Sequence, residues 1–252
     1  MSDENRAKRT RTLLILFIIL LPAALWLGRE FLTEGFVMGM RAVDAADMTI
    51  LTPIYIVILL FLWNYMEKHS APRWLVVTFL VFAFVFLYGQ AMHATGNAIN
   101  TYATEVNDYK DSIPKDLYAL IFFLDERLSH LVLFVAVTGL IGCWFVWDQL
   151  AFAPPLMPRL PLILIPMGLL YGVVKAYAVI EARMVWIILP IVLVLMGLWL
   201  WYWRRSNRSL IGYAGHRPFT TFVAVMAFVA IVGMVIWWLY WGGFPQPSEV
   251  GL

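Results

Sequence analysis

Seven stretches of this chain are long and apolar enough to cross a lipid bilayer, and that limits the fold more than any other feature. A helix rising about 1.5 Å per residue needs about 20 mostly apolar residues to span the hydrocarbon core. The windows run roughly Leu13–Leu27, Met48–Met66, Trp74–Met92, Leu117–Trp147, Leu160–Ile180, Met184–Trp203 and Phe219–Trp241. In lipid every backbone polar group must be bonded internally, which a helix does within one segment. The expectation is an all-α, polytopic membrane bundle of seven transmembrane helices. Residues 1–12 form a basic cytoplasmic N-terminus, 13–241 the helical domain and 242–252 a short outer tail. There is no internal repeat and no soluble domain.

Composition agrees with the windows. Hydrophobic residues make up 62% of the chain and charged ones 13%, about half the charged share of a soluble domain. A water-soluble fold could not cover that apolar surface. A net charge of +2 is too small to imply a nucleic-acid partner. The single cysteine, Cys143, rules out a disulfide within the chain and a cysteine-based metal site. The opening MSDENRAKRTRT is followed by an apolar run that passes into Arg29 and Glu30 with no small-residue cleavage site. It reads as a retained first helix or signal anchor.

Orientation follows from the Lys/Arg bias. With the N-terminus inside, eleven of the 18 Lys and Arg residues fall on inner segments, among them Arg6, Lys8, Arg9, Arg11, Lys68, Arg73, Arg159, Arg204, Arg205, Arg208 and Arg217. Five fall on outer connections: Arg29, Arg41, Lys110, Lys115 and Arg183. The C-terminus is then outside. Pro154, Pro155, Pro158 and Pro161 mark an inner loop before the fifth span, and Pro166 and Pro190 lie within apolar runs as expected kinks.

Ionisable side chains at membrane depth cost about 2.5–3.5 kcal/mol on insertion scales and are functional candidates by default. The third span ends in GQAMHATGNAIN, the fourth begins with FFLDERLSH, and the fifth ends in YGVVKAYAVIEARM. His93 and Asn97 are four apart and share a helix face, as do Asp125 and Ser129, and Glu126 and His130. The topology brings His93, Asn97, Asp125, Glu126, Ser129, His130, Lys175 and Glu181 to one outer layer. Two imidazoles with two or three carboxylates match the ligand set of a zinc or iron site. His93 and His130 are the expected ligands, with Asp125 or Glu181 as a third. Glu126 is the candidate general base, and Ser129 and Asn97 are outer or oxyanion donors. Lys175 sits about 9 Å deeper than Glu181, within reach of Asp125 or Glu126, or as a neutral donor. The bland alternative is that these groups pair only to hold helices together. His69 and His216 read as solvated inner residues, and Asp44 and Asp47 as acidic residues at the start of the second span.

The fragments HATGNAIN and FFLDERLSH and the pair Ile180-Glu181 resemble a group of prokaryotic multi-pass membrane proteins of unassigned function. That group carries a His before an Asn-Ala-Ile run, an aromatic-rich Asp-Glu pair with a later His, and an Ile-Glu motif. The resemblance covers His93, Asn97, Asp125, Glu126, His130 and Glu181 and implies no activity. A more distant likeness is to the alkaline ceramidase and adiponectin-receptor superfamily, seven-helix membrane hydrolases with zinc held by three histidines. His93 precedes Asp125 and Glu126 here as a His precedes an Asp-Glu pair there. This chain lacks that group's late histidine pair, so a metal here would need carboxylates.

The residues therefore lead to a metal-dependent membrane enzyme of a prokaryotic cytoplasmic membrane, its site opening to the outer leaflet and its substrate a lipid or amphiphile. Hydrolysis with zinc is the natural chemistry, and oxidation at iron is a variant. The same residues also suit a proton- or cation-coupled transporter, and a third class is an accessory subunit of a membrane complex.

Overall fold

The structure, a computed structural model, describes residues 36–37, 40–68, 71–102, 114–150 and 160–251. The expected first span Leu13–Leu27, His69, Pro154, Pro155 and Pro158 lie outside the described residues. Six of the described helical runs are long and apolar enough to cross a membrane. They divide between two compact units, Pro22–Cys143 and Met1–Leu21 with Trp144–Leu252.

The first unit opens with a two-residue hairpin, β1 (Phe36–Val37) and β2 (Met40–Arg41), paired antiparallel. A helical run follows: α1 (Ala42–Ala46), a π-helical turn Asp47–Leu51 and α2 (Thr52–Lys68). Next comes α3 (Arg73–Thr101), the longest uninterrupted α-helix described. The last run is α4 (Lys115–Phe122), a π-helical segment Phe123–Ser129 and α5 (His130–Leu150), whose final residues belong to the second unit. The sequence windows locate these helices, but α3 continues nine residues past the expected Met92. Its C-terminal end is not apolar, yet Ala94, Gly96, Ala98 and Thr101 are buried there.

α3 shows how such a helix packs. Leu75, Val76, Phe79 and Ala83 are buried, whereas Trp74, Val77, Val81, Phe84 and Tyr88 are exposed along the opposite stripe. Both stripes are apolar, as expected of a helix with protein on one side and lipid on the other. Against α5, Gly89 lets Val132 and Leu133 approach, and Gly139 receives the ring of Phe82.

The second unit contains α6 (Leu160–Glu181), α7 (Val185–Arg205), α8 (Leu210–His216) and α9 (Pro218–Trp241). Its centre is the α6–α9 pair. Gly168, Gly172 and Ala176 recur every four residues on α6 and form a small-residue face. A Cβ on Gly172 would lie 2.5 Å from Val229 Cβ and 2.8 Å from the Met226 carbonyl oxygen. Without a hydrophobic drive between helices in lipid, close backbone approach of this kind is what associates them. Pro161 is accommodated at the second position of α6, where its missing N–H costs nothing, and Pro166 and Pro190 lie within α6 and α7. α9 stops at Gly242, left-handed at φ 67°. The chain beyond it is pinned back by Trp237 Nε1 to Pro245 O at 3.1 Å, Gln246 Nε2 to Glu181 O at 2.5 Å, and an Arg183–Glu249 ion pair.

Candidate functional site

The first unit gathers the expected residues of the third and fourth spans. Asp125 lies on the π-helical segment, fully buried, and Ser129 beside it is equally buried. Gly96 is what lets α3 come so close: a Cβ there would sit 3.0 Å from Asp125 Cα and 3.1 Å from its Cβ. On the same face of α3, His93 Nδ1 lies 3.5 Å from Asp125 Oδ1 and 3.5 Å from Ser129 Oγ. Asn100 donates to Asp125 Oδ2 at 3.2 Å. Asn97 donates to Asp44 Oδ1 at 2.7 Å. His130, on the first turn of α5, places its ring 4.7 Å from that of His93. Its Nδ1 is 2.7 Å from the Glu126 carbonyl oxygen and 3.8 Å from Glu126 Oε2.

The bonding decides where the imidazole protons sit. A carbonyl oxygen only accepts, so His130 Nδ1 carries hydrogen. Ser129 donates its hydroxyl hydrogen to the Asp125 carbonyl, so its oxygen faces His93 as an acceptor. The Asp125 carboxylate is an acceptor too, and both therefore call for an N–H at His93 Nδ1. Each ring turns its Nδ1 toward the Phe123–Ser129 segment, and each keeps the lone pair of Nε2. Among the described residues nothing bonds to either Nε2.

The segment bearing this chemistry is π-helical, a rare geometry that clusters at functional sites. In an α-helix the carbonyls of Asp125 and Glu126 would be taken by backbone N–H groups four residues on. Here the side chains of Ser129 and His130 reach back to them instead. Arg127 points away and is exposed.

Of the residues named from the sequence, His93, Asn97, Asp125, Glu126, Ser129 and His130 share this neighbourhood. Lys175 and Glu181 belong to the second unit and its α6. Among the described residues, no group of three or more His, Cys, Asp or Glu side chains is arranged to hold a metal ion. Two site residues escaped the sequence reading. Asn100 lies three residues beyond Asn97 on the same helix face, which its spacing announces. Asp44 is 3% exposed, and its position at a helix start suggested a cap rather than a partner for Asn97.

A second polar network, in the second unit, also went unread. Asp148 accepts from Thr220 N at 3.1 Å and from Thr220 Oγ1 at 2.5 Å, which caps the first turn of α9. Gln149 Nε2 donates to Thr220 Oγ1 at 2.9 Å, Tyr213 donates to Gln149 at 3.3 Å, and Arg217 donates to the Asp148 carbonyl. Burial pushes the Tyr213 phenol above its ordinary pKa. This network ties α5, α8 and α9 together and satisfies buried polar groups.

Comparison with protein-family models, with curated proteins and with solved structures finds no match to this chain.

Proposed function

We propose that this chain is a seven-span membrane protein, N-terminus in the cytoplasm and C-terminus outside, whose polar centre is a metal-dependent hydrolytic site for a lipid or amphiphile. The observation that carries the reading is the orientation of the two imidazoles. Histidines that bind metal almost always give their second ring N–H to a carboxylate or a backbone carbonyl, which sets the tautomer and aims the other nitrogen. His130 is held this way by the Glu126 carbonyl, and His93 turns its Nδ1 toward Asp125 Oδ1 at 3.5 Å, with the rings 4.7 Å apart. Zinc or iron would take the two Nε2 atoms, one protein ligand fewer than catalytic zinc sites use, and water and substrate would fill its remaining positions. Such an ion supplies an acidified water and polarises a carbonyl or phosphoryl oxygen.

The chain's own residues then have distinct tasks. Asp125 orients His93, Asn100 holds Asp125, and Asn97 holds Asp44 alongside. The Glu126 carboxylate is a third exposed, faces His130, and is the group placed to take a proton from the nucleophile. Ser129 has its hydroxyl hydrogen committed to its own helix, which suits a positioning role better than a nucleophile.

Metal analysis of the detergent-purified chain is the test. Near-stoichiometric zinc or iron is expected, lost in His93→Ala and in His130→Ala but kept in Glu126→Gln, which abolishes turnover. Purified protein that holds no metal and gains none on addition ends this reading. A proton-coupled transporter is the second reading, favoured by the contact of two acids and two imidazoles within one half-buried cluster. It predicts a pH-driven flux in liposomes, metal-independent and lost in Asp125→Asn.

A further inference from the structure

The turn from α7 to α8 presents three arginines with no acidic partner. α7 is a candidate span of Val185–Arg205 and ends in Arg204 and Arg205. Arg208 follows three residues later. All three are exposed. Among the described residues no acidic side chain pairs with any of them. Arg217, on the next turn of chain, is by contrast spent on the Asp148 carbonyl.

The turn is also rigid. Ser206 Oγ donates to the Trp203 carbonyl at 2.7 Å, and Trp203 Nε1 donates to the Arg208 carbonyl at 3.1 Å. Asn207 is left-handed at φ 51°, and Ser209 caps α8 through Gly212 N at 3.2 Å. The Arg205 guanidinium stacks on the Trp201 ring at 4.4 Å, which holds it in place without neutralising it. Trp201, Leu210 and Ile211 are exposed around the cations, Ile211 at 74%. Three exposed guanidiniums at the end of a candidate spanning helix, one of them stacked on Trp201, flanked by bare apolar side chains, complement one kind of neighbour. The side chains enter acyl chains, and the guanidiniums meet an anionic oxygen cluster with two parallel N–H groups each.

We infer that Arg204, Arg205 and Arg208 form a binding site for the phosphodiester headgroup of an anionic phospholipid. The inference is independent of the polar centre in the first unit. A basic residue at a charged membrane surface contributes about fivefold in affinity, so losing three should cost about a hundredfold.

The test uses the full chain in detergent, with native mass spectrometry counting retained phosphatidylglycerol against phosphatidylcholine. Wild type should retain phosphatidylglycerol selectively. The triple variant Arg204→Gln, Arg205→Gln, Arg208→Gln should lose about a hundredfold of that preference. A Lys68→Gln, Arg73→Gln variant should stay near wild type. Because among the described residues the three exposed arginines make no ion pair and only Arg205 makes a ring contact, the triple variant should melt close to wild type. If it fails to fold, Arg205→Gln alone should still show the roughly fivefold loss. Equal retention of both lipids by wild type, undiminished preference in the variants, or displacement of the lipid by millimolar inorganic phosphate would overturn the inference, the last by marking a site for free anions.

Discussion

Replacing Gly96 with alanine puts a methyl group where α3 and the π-helical segment touch. The new Cβ would lie 3.0 Å from Asp125 Cα, 3.1 Å from Asp125 Cβ and 3.3 Å from Asp125 N. Carbon atoms rest comfortably at about 3.5–4.0 Å, so the elements must separate by about 0.5–1 Å. Two of the opposing atoms are backbone, and no rotamer change can absorb the overlap. Overpacking of this kind costs about 1–3 kcal/mol. The consequence at the site is larger than the cost. His93 Nδ1 and Asp125 Oδ1 are 3.5 Å apart, already longer than a well-formed N–H to oxygen bond of about 2.7–3.2 Å, and the added separation breaks the contact that remains. Asn100 would let go of Asp125 as well, leaving a fully buried carboxylate unsupported. The measurements are an unfolding midpoint in detergent and metal content per chain. Gly96→Ala should lose about 1–3 kcal/mol and most of its metal. Gly172→Ala is the comparator, since its Cβ meets Val229 and the Met226 carbonyl in the other unit; it should be destabilised at least as much and keep its metal. Wild-type stability in Gly96→Ala would refute the packing argument. Equal metal loss in both variants would show that metal content reports only global damage.

Other expectations are simpler. Asp148→Ala removes the acceptor of both Thr220 donors, one of them the backbone N–H in the first turn of α9, and should cost about 2–4 kcal/mol in the same unfolding assay; Asp148→Asn should cost less, because an amide oxygen still accepts. Ser129→Ala should retain activity within about tenfold of wild type, and a total loss would restore the hydroxyl as a nucleophile. Glu126→Gln should lower turnover by about a hundredfold or more, the usual contribution of a general base, with metal content unchanged, since His130 bonds the backbone carbonyl of that residue rather than its carboxyl. Tyr213 has a folded-state pKa raised mainly by burial, so its contribution to stability is present below the ordinary tyrosine range and is lost as pH rises through the raised value. Alkaline unfolding should therefore shift upward in Tyr213→Phe, and an unchanged profile would show that the phenol never ionises during unfolding.

The sequence carries the depth of a residue far better than its azimuth. Apolar length alone located the six described runs long enough to cross a membrane, because the bilayer thickness imposes it, but not the short α1 and α8. Counting turns then brought His93, Asn97, Asp125, Ser129 and His130 to one level, and the structure draws them to one face as well. That second step was not available from periodicity, since α3 is apolar all round and its lipid-facing and protein-facing stripes look alike in composition. The glycines held the missing signal. Gly89 and Gly96 are seven apart on α3, and Gly168 and Gly172 four apart on α6; each pair marks the side where a neighbouring backbone comes near. Small residues at helical spacing thus point to the inward face of a spanning helix when hydrophobicity cannot. His93 lies four residues from Gly89 and three from Gly96, hence on that inward side, whereas Arg127, two residues from Asp125, turns outward. The π-helical geometry of Phe123–Ser129 had no comparable mark. There the Ser129 and His130 side chains bond back to the Asp125 and Glu126 carbonyls, a local arrangement that hydrophobic pattern does not encode.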